Sequence, residues 1–175
     1  MSNASLYSWL EHHCRTYRVT SYLEIGTREG DSLRAVVTHA HELARIVCCD
    51  TWGNDYGGSG RGSAEHIHAM LSQMLYTGEL ACVTGDSKAT VPALRGPFDL
   101  VLVDGDHSYA GGMADLVNVW PLVAPGGFVA FHDITHPAHP DLMKCFTDFI
   151  DMHKAEVSES YTVMEPYGVG VVVKS

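Results

Sequence analysis

Basic residues are scarce in this 175-residue chain, with 11 Lys+Arg against 21 Asp+Glu and a formal charge of −10. A general nucleic-acid binder needs a basic footprint. Arg15, Arg18, Arg28 and Arg34 are too scattered to supply one. No nucleic-acid partner is expected, and the acidity reads as a device for solubility. The five cysteines, Cys14, Cys48, Cys49, Cys82 and Cys145, include no CxxC pair. An odd number without that spacing excludes a disulfide scaffold or a cysteine zinc site and points to free thiols in a reducing compartment. No apolar run approaches the length of a membrane span. The start, MSNASLYSWLEHH, lacks a basic segment followed by an apolar one, so no signal peptide is read. A cytoplasmic protein without a membrane partner is the expectation. Repeats, low-complexity tracts and linkers are also missing. One domain over 1–175 follows, an N-terminal helix in 1–19 leading into a core in 20–175.

What is present is ordinary globular material, 46% hydrophobic and 18% charged, arranged as alternating strands and helices. Leu6, Trp9, Leu10 and His13 recur at helical spacing within residues 4–17. Strands are predicted at 22–26, 45–50, 80–84, 98–103 and 128–131. Helices are predicted at 30–40, 63–76, 113–122 and 139–154, with a helical turn or two at 87–94. Residues 160–165 and 168–173 read as a closing hairpin. The stretch 53–62 holds five glycines in ten positions and reads as a mobile loop on the ligand side. The alternation predicts an α/β, Rossmann-like, doubly wound sheet of seven strands. The final hairpin cannot be a helical crossover, so one antiparallel edge strand near the C-terminus is expected.

Four clusters of polar residues sit at predicted strand ends, where ligands of open α/β sheets bind. The first is Glu24-Ile25-Gly26-Thr27-Arg28-Glu29-Gly30-Asp31-Ser32. Arginine at position 28 removes the middle glycine of a G-x-G-x-x-G dinucleotide loop. A nicotinamide oxidoreductase is thereby disfavoured. A smaller group, such as the amino-acid end of S-adenosylmethionine, suits the spacing. The second is Asp50-Thr51-Trp52, an acceptor for ribose hydroxyls beside a ring able to pack on adenosine, or else a solvated strand end. The third is Asp86-Ser87, which serves either an adenine edge or a helix N-cap.

The fourth joins Asp104-Gly105-Asp106-His107 to His132-Asp133. Asp104, His132 and Asp133 read as ligands for Mg²⁺ or another divalent metal, with Asp104 also a cofactor or substrate contact. Such an ion would lower the pKa of a bound hydroxyl, and Asp106 or His107 would take the proton. Among the other histidines, His12, His13, His39, His41 and His153 read as surface. His136 and His139 read as a surface loop, with an added metal ligand or a lining of the substrate site as the alternatives.

With these residues assembled, the chain resembles class I S-adenosylmethionine-dependent methyltransferases. Within them it is similar to the small O-methyltransferase-like family grouped with macrocin O-methyltransferases and cephalosporin-hydroxylase-type proteins. YLEIGTREGDS, VDGDHSYAGGMADLVNVWPLVAPGG and FVAFHD carry the likeness. It implies a strand order 3-2-1-4-5-7-6 with strand 7 antiparallel. It also implies cofactor contacts at Glu24, Gly26, Gly30, Ser32, Asp50 and Asp86-Ser87, and Mg²⁺ ligands at Asp104, His132 and Asp133. Asp106 is a base by the same likeness, and catechol-type relatives place one at the position of His107. His132 departs from the usual acidic residue, which puts Mg²⁺ specificity in doubt. The short N-terminal segment implies a helical lid that is short or absent. Either the 53–62 loop and a neighbouring subunit of a homo-oligomer close the site, or a large substrate enters an open cleft. The acceptor implied is a hydroxyl of a small molecule or sugar. The alternatives are a metal-dependent hydroxylase or hydrolase, and a cofactor-binding protein without turnover.

Overall fold

Two apolar stripes on successive strand residues dictate a sheet covered on both faces. In β4 (Phe98–Val103), Leu100 and Leu102 face one core while Val101 and Val103 face the other. The computed structural model describes residues 4–53, 62–164 and 166–175, so positions 54–61 of the predicted glycine loop lie outside the described residues. Helices α1 (Ala4–Thr16), α2 (Asp31–His39) and α3 (Ala64–Gln73) cover one face through Leu10, Leu33, Val36 and Ile67. The other face carries the short α4 (Ser87–Thr90), α5 (Tyr109–Val119) and α6 (Leu142–Met152), packed through Leu116, Val119, Leu142 and Phe149.

The remaining strands are β1 (Ser21–Ile25), β2 (Arg45–Asp50), β3 (Glu79–Thr84), β5 (Val123–His132), β6 (Val157–Val163) and β7 (Val169–Lys174). Together they form one seven-stranded sheet in the order β3-β2-β1-β4-β5-β7-β6. All pairs up to β4–β5 are parallel, and both pairs of β7 are antiparallel. The expected antiparallel edge strand is therefore corrected in one respect. Strand β7 is antiparallel but lies inside the sheet, and β6 forms the edge. The reason is polarity. β7 (VGVVVK) is buried along almost its whole length, whereas β6 (VSESYTV) is exposed at alternate and central positions. A strand apolar on both faces belongs between neighbours, and a polar strand protects an edge.

Several element limits differ from the spacing. Helix α5 starts at Tyr109 rather than near Met113, because the Ser108 hydroxyl accepts from Gly111 N at 3.0 Å and caps it. Gly112 is tolerated there because Phe131 fills the space a Cβ would take. Strand β5 runs through Pro125-Gly126-Gly127, read from sequence as a turn. The segment 139–141 precedes α6 instead of belonging to it. All five cysteines are free. Among the described residues, no helix is long and apolar enough to cross a membrane.

His13 is a correction. It is buried, stacked 4.8 Å from both Trp9 and Tyr17 and set edge-on to Phe128 at 4.3 Å. Burial, with a smaller push from His12, lowers its pKa to about 4. A depressed imidazole binds fewer protons folded than unfolded, so stability is full above the unfolded value near 6.5 and is lost as pH falls through 6.5 toward 4. His13→Phe should abolish that acid-side loss, on the order of 2–3 kcal/mol. Urea unfolding at pH 7.5 and pH 4.5 checks it.

Candidate functional site

Register brings the polar strand ends together. In the parallel ladders Ile25 pairs with Cys49 and Val103, and Val103 with Phe131. The next residues therefore lie level with one another, Gly26 and Asp104 just beyond β1 and β4, Asp50 and His132 as the last residues of β2 and β5. Gly26 adopts φ +85°, and a Cβ on it would stand 2.0 Å from the Asp104 carbonyl oxygen. No side chain fits there, so the β1 turn lies directly against the end of β4.

On the β1 side, Glu24 is fully buried and the Ser32 hydroxyl donates to its Oε1, while Oε2 makes no hydrogen bond. Burial pushes its carboxyl up to about 8, against the Ser32 bond and with Asp104 adding to the rise. Thr27 is buried and Gly30 takes φ +80° ahead of α2. The Asp50 carboxylate accepts from Arg28 N and Trp52 N, both at 2.7 Å, and so ties the β1 and β2 loops together. The Thr51 hydroxyl accepts from Gly53 N at 3.3 Å. Trp52 sits at φ 57° with its indole N–H donating to the Thr84 hydroxyl at 3.0 Å.

Of the two readings of Asp86-Ser87, the structure shows the helix N-cap, at Asp86. Asp86 caps α4 by accepting from Lys88 N at 2.9 Å. The Ser87 hydroxyl donates to Asp115 Oδ1 at 2.6 Å. Asp115, missed from the sequence because it lies mid-helix in an ordinary-looking α5, is fully buried. Burial raises its carboxyl to about 6, partly offset by Ser87.

The β4 and β5 ends converge more tightly. His132 Nδ1 stands 3.1 Å from Asp104 Oδ1 and 3.4 Å from Asp133 Oδ1. His107 Nε2 stands 3.4 Å from Asp104 Oδ1 and 3.3 Å from Asp133 Oδ2. Burial would raise the Asp104 pKa, but His132 and His107 outweigh it and hold the carboxyl well below its ordinary range. The same contacts raise both imidazoles against the opposing effect of burial. Asp133 lies at φ 61°, a left-handed conformation that aspartate tolerates better than most residues. Buried Asp133 Oδ1 and His132 Nε2 make no hydrogen bond. Asp104, His132 and Asp133 offer donor atoms within 4.8 Å of one another, and so do His107, Asp133 and His139.

Asp106 does not join this cluster. Its carboxylate takes Lys88 Nζ at 2.8 Å and Ser108 N at 2.9 Å, over the first turn of α5. Those partners lower its pKa against a raising effect of burial. His139 does join. The segment after Asp133 is a series of three-residue turns, His136 N to Asp133 O at 3.0 Å and His139 N to His136 O at 2.9 Å. Residues three apart then align, and the His139 ring stacks 4.4 Å from His107. The Asp-x-x-His-x-x-His spacing of 133, 136 and 139 was the available signal, hidden because such turns have no helical or strand periodicity.

Comparison with known proteins fits this geometry. A family model described as a methyltransferase domain matches residues 23–134, β1 to just past β5. No curated protein sequence matches. Among solved structures, the chain is similar to the methyltransferase PaMTH1 of Podospora anserina, bound to S-adenosylhomocysteine, with TM-score 0.70, 17% identity and coverage of 100% of this chain and 80% of that one. It is also similar to the O-methyltransferase TomG of Streptomyces achromogenes, in complex with S-adenosylmethionine, with TM-score 0.73, 20% identity and coverage of 100% and 82%. At these identities the likeness is one of fold.

Gly26→Ala should cost about 1–3 kcal/mol from the positive φ alone, and more from the clash with the Asp104 carbonyl. Thermal unfolding of the variant measures it; a melting temperature unchanged from that of the natural chain would contradict the close approach.

Proposed function

The chain belongs to the methyltransferase-domain family, and from that premise we propose that it transfers a methyl group from S-adenosylmethionine to a hydroxyl oxygen of a small molecule or sugar, with a divalent cation at the β4–β5 ends. One observation carries the reading. Asp104, His132, Asp133 and His107 converge within hydrogen-bonding range, level with the glycine turn of β1 where a cofactor enters this kind of sheet.

The residues fit both groups. Glu24 Oε2 is a buried acceptor without a hydrogen bond, beside a turn that no Cβ could enter. It suits the ammonium of the cofactor's amino-acid end, and backbone N–H groups near Gly30 suit its carboxylate. Asp50 takes the ribose and Trp52 the adenosine face; Thr27, Ser32, Thr51, Asp86 and Ser87 shape the same wall. Buried Asp133 Oδ1 is a second acceptor without a hydrogen bond, 3.4 Å from His132 Nδ1. Two carboxylates and an imidazole suit a divalent ion. When bound, the cofactor supplies a methyl on a sulfonium, and the cation lowers the pKa of the acceptor hydroxyl.

The chain itself supplies position and a place for the proton. Lys88 holds the Asp106 carboxylate, which makes it a weak base. His107 Nε2 faces the two ligand carboxylates instead, so it is the group placed to receive the hydroxyl proton. The rest of the barrier falls through alignment and exclusion of water.

Calorimetry with S-adenosylmethionine tests the reading directly; absence of binding both with and without Mg²⁺ would sink it. Asp104→Asn is expected to abolish metal-dependent turnover while cofactor affinity stays within about threefold. His107→Gln is expected to lower kcat about 10²-fold or more, and Asp106→Asn much less. Equal losses at the two positions would remove His107 from its role.

A further inference from the structure

Asp133 presents its two carboxylate oxygens to different neighbours. Oδ1 faces His132, beside Asp104, whereas Oδ2 stands 3.3 Å from His107 Nε2. On that second side His139 completes a set of three donors within 4.8 Å of one another. Zinc–nitrogen bonds of about 2.0–2.1 Å span tetrahedral edges of about 3.3–3.4 Å, which is the His107–Asp133 separation. The run of three-residue turns from Asp133 to His139 fixes the third donor, and the 22° stack on His107 keeps the two rings side by side. His107 and His139 are partly exposed around the buried Asp133, so an ion has a way in.

From this geometry we infer that His107, Asp133 and His139 form a second cation site, bridged through Asp133 to the first. It takes a borderline transition ion of the Zn²⁺ class rather than Mg²⁺. The donor set decides the ion. Two imidazoles and one carboxylate oxygen favour Zn²⁺, Fe²⁺ or Ni²⁺, while Mg²⁺ demands oxygen and holds its water. The inference rests on the reading of the neighbouring carboxylates as the first cation site and of His107 as proton acceptor. It adds a consequence for that reading. A His107 nitrogen that holds an ion has no lone pair for a proton, so an ion in the second site stops turnover without displacing the first. The site is thus inhibitory, and free Zn²⁺ regulates the reaction. Because Asp133 is shared, filling one position also alters the charge felt by the other.

The test counts ions and needs neither cofactor nor acceptor. Protein stripped by chelation is dialysed against Zn²⁺ and the bound metal is measured by elemental analysis, with Co²⁺ absorption as an independent probe of the imidazole donors. Two equivalents per chain are expected in the natural protein, and one in His139→Phe, which keeps a ring on the stack but removes the donor. Asp104→Asn should also retain one, and the double variant none. A single equivalent lost in Asp104→Asn and kept in His139→Phe would overturn the second site. A single equivalent lost only in His139→Phe would support the second site and overturn the first, so the two readings fail separately. In assays with saturating Mg²⁺, His139→Phe should raise the Zn²⁺ concentration for half-inhibition at least tenfold; unchanged inhibition would overturn the regulatory role.

Discussion

The close approach of Gly26 to the carbonyl of Asp104 is the constraint on which the site depends. Two backbone bonds frame it, Gly26 N to Cys49 O and Asp104 N to Ile25 O, both at 2.9 Å. They extend the parallel ladders by one residue beyond the strands. β1 and β4 then stop level with each other at Ile25 and Val103, and β2 runs one residue further to Asp50. A side chain at position 26 would force β1 and β4 apart, and Asp50 and Asp104 would no longer flank one crevice.

From that junction the site divides into two regions of different electrostatic character. Around β1 and β2 the polar groups are satisfied by neighbours: Asp50 by two backbone N–H groups, Ser87 by Asp115, and Asp86 by α4. Glu24 Oε2, Thr27 Oγ1 and Asp115 Oδ2 keep buried oxygens without a hydrogen bond there, and burial pushes the Glu24 carboxyl up to about 8. Around β4 and β5 the carboxylates are instead matched to imidazoles at 3.1–3.4 Å. Two carboxylates this close need compensating positive charge. In the chain alone the two histidines supply it, and a cation in the proposed site would replace them in that role.

The surrounding packing serves the same end. Asp99, at the opposite end of β4, accepts from Thr20 N at 2.7 Å, from the Thr20 hydroxyl at 2.6 Å and from Ser21 N at 3.0 Å. That fixes the start of β1 against β4 and so the level at which both strands finish. On the β5 side the anchor is β7, which pairs His132 with Val169 and closes β5 on its outer side.

The sequence by itself determined the alternation of strands and helices, the buried stripes of β1, β4 and β5, and the strand-end positions of Glu24, Asp50, Asp104 and His132-Asp133. Period and polarity are local properties, and they survive in a linear reading. It did not separate Asp106 from His107, because adjacent residues near a strand tip diverge by the path of the loop. Lys88, from an element eighteen residues earlier, decides that Asp106 turns toward α4. It also left Asp115 out, read His139 first as surface loop and placed His13 on the surface. Each is defined by partners distant in the chain or by a turn series with no hydrophobic period. Only the tertiary structure decides which polar side chains meet, because a pairwise contact at 3 Å depends on register, helix start and loop path together, and no one of these is encoded where the residue itself stands.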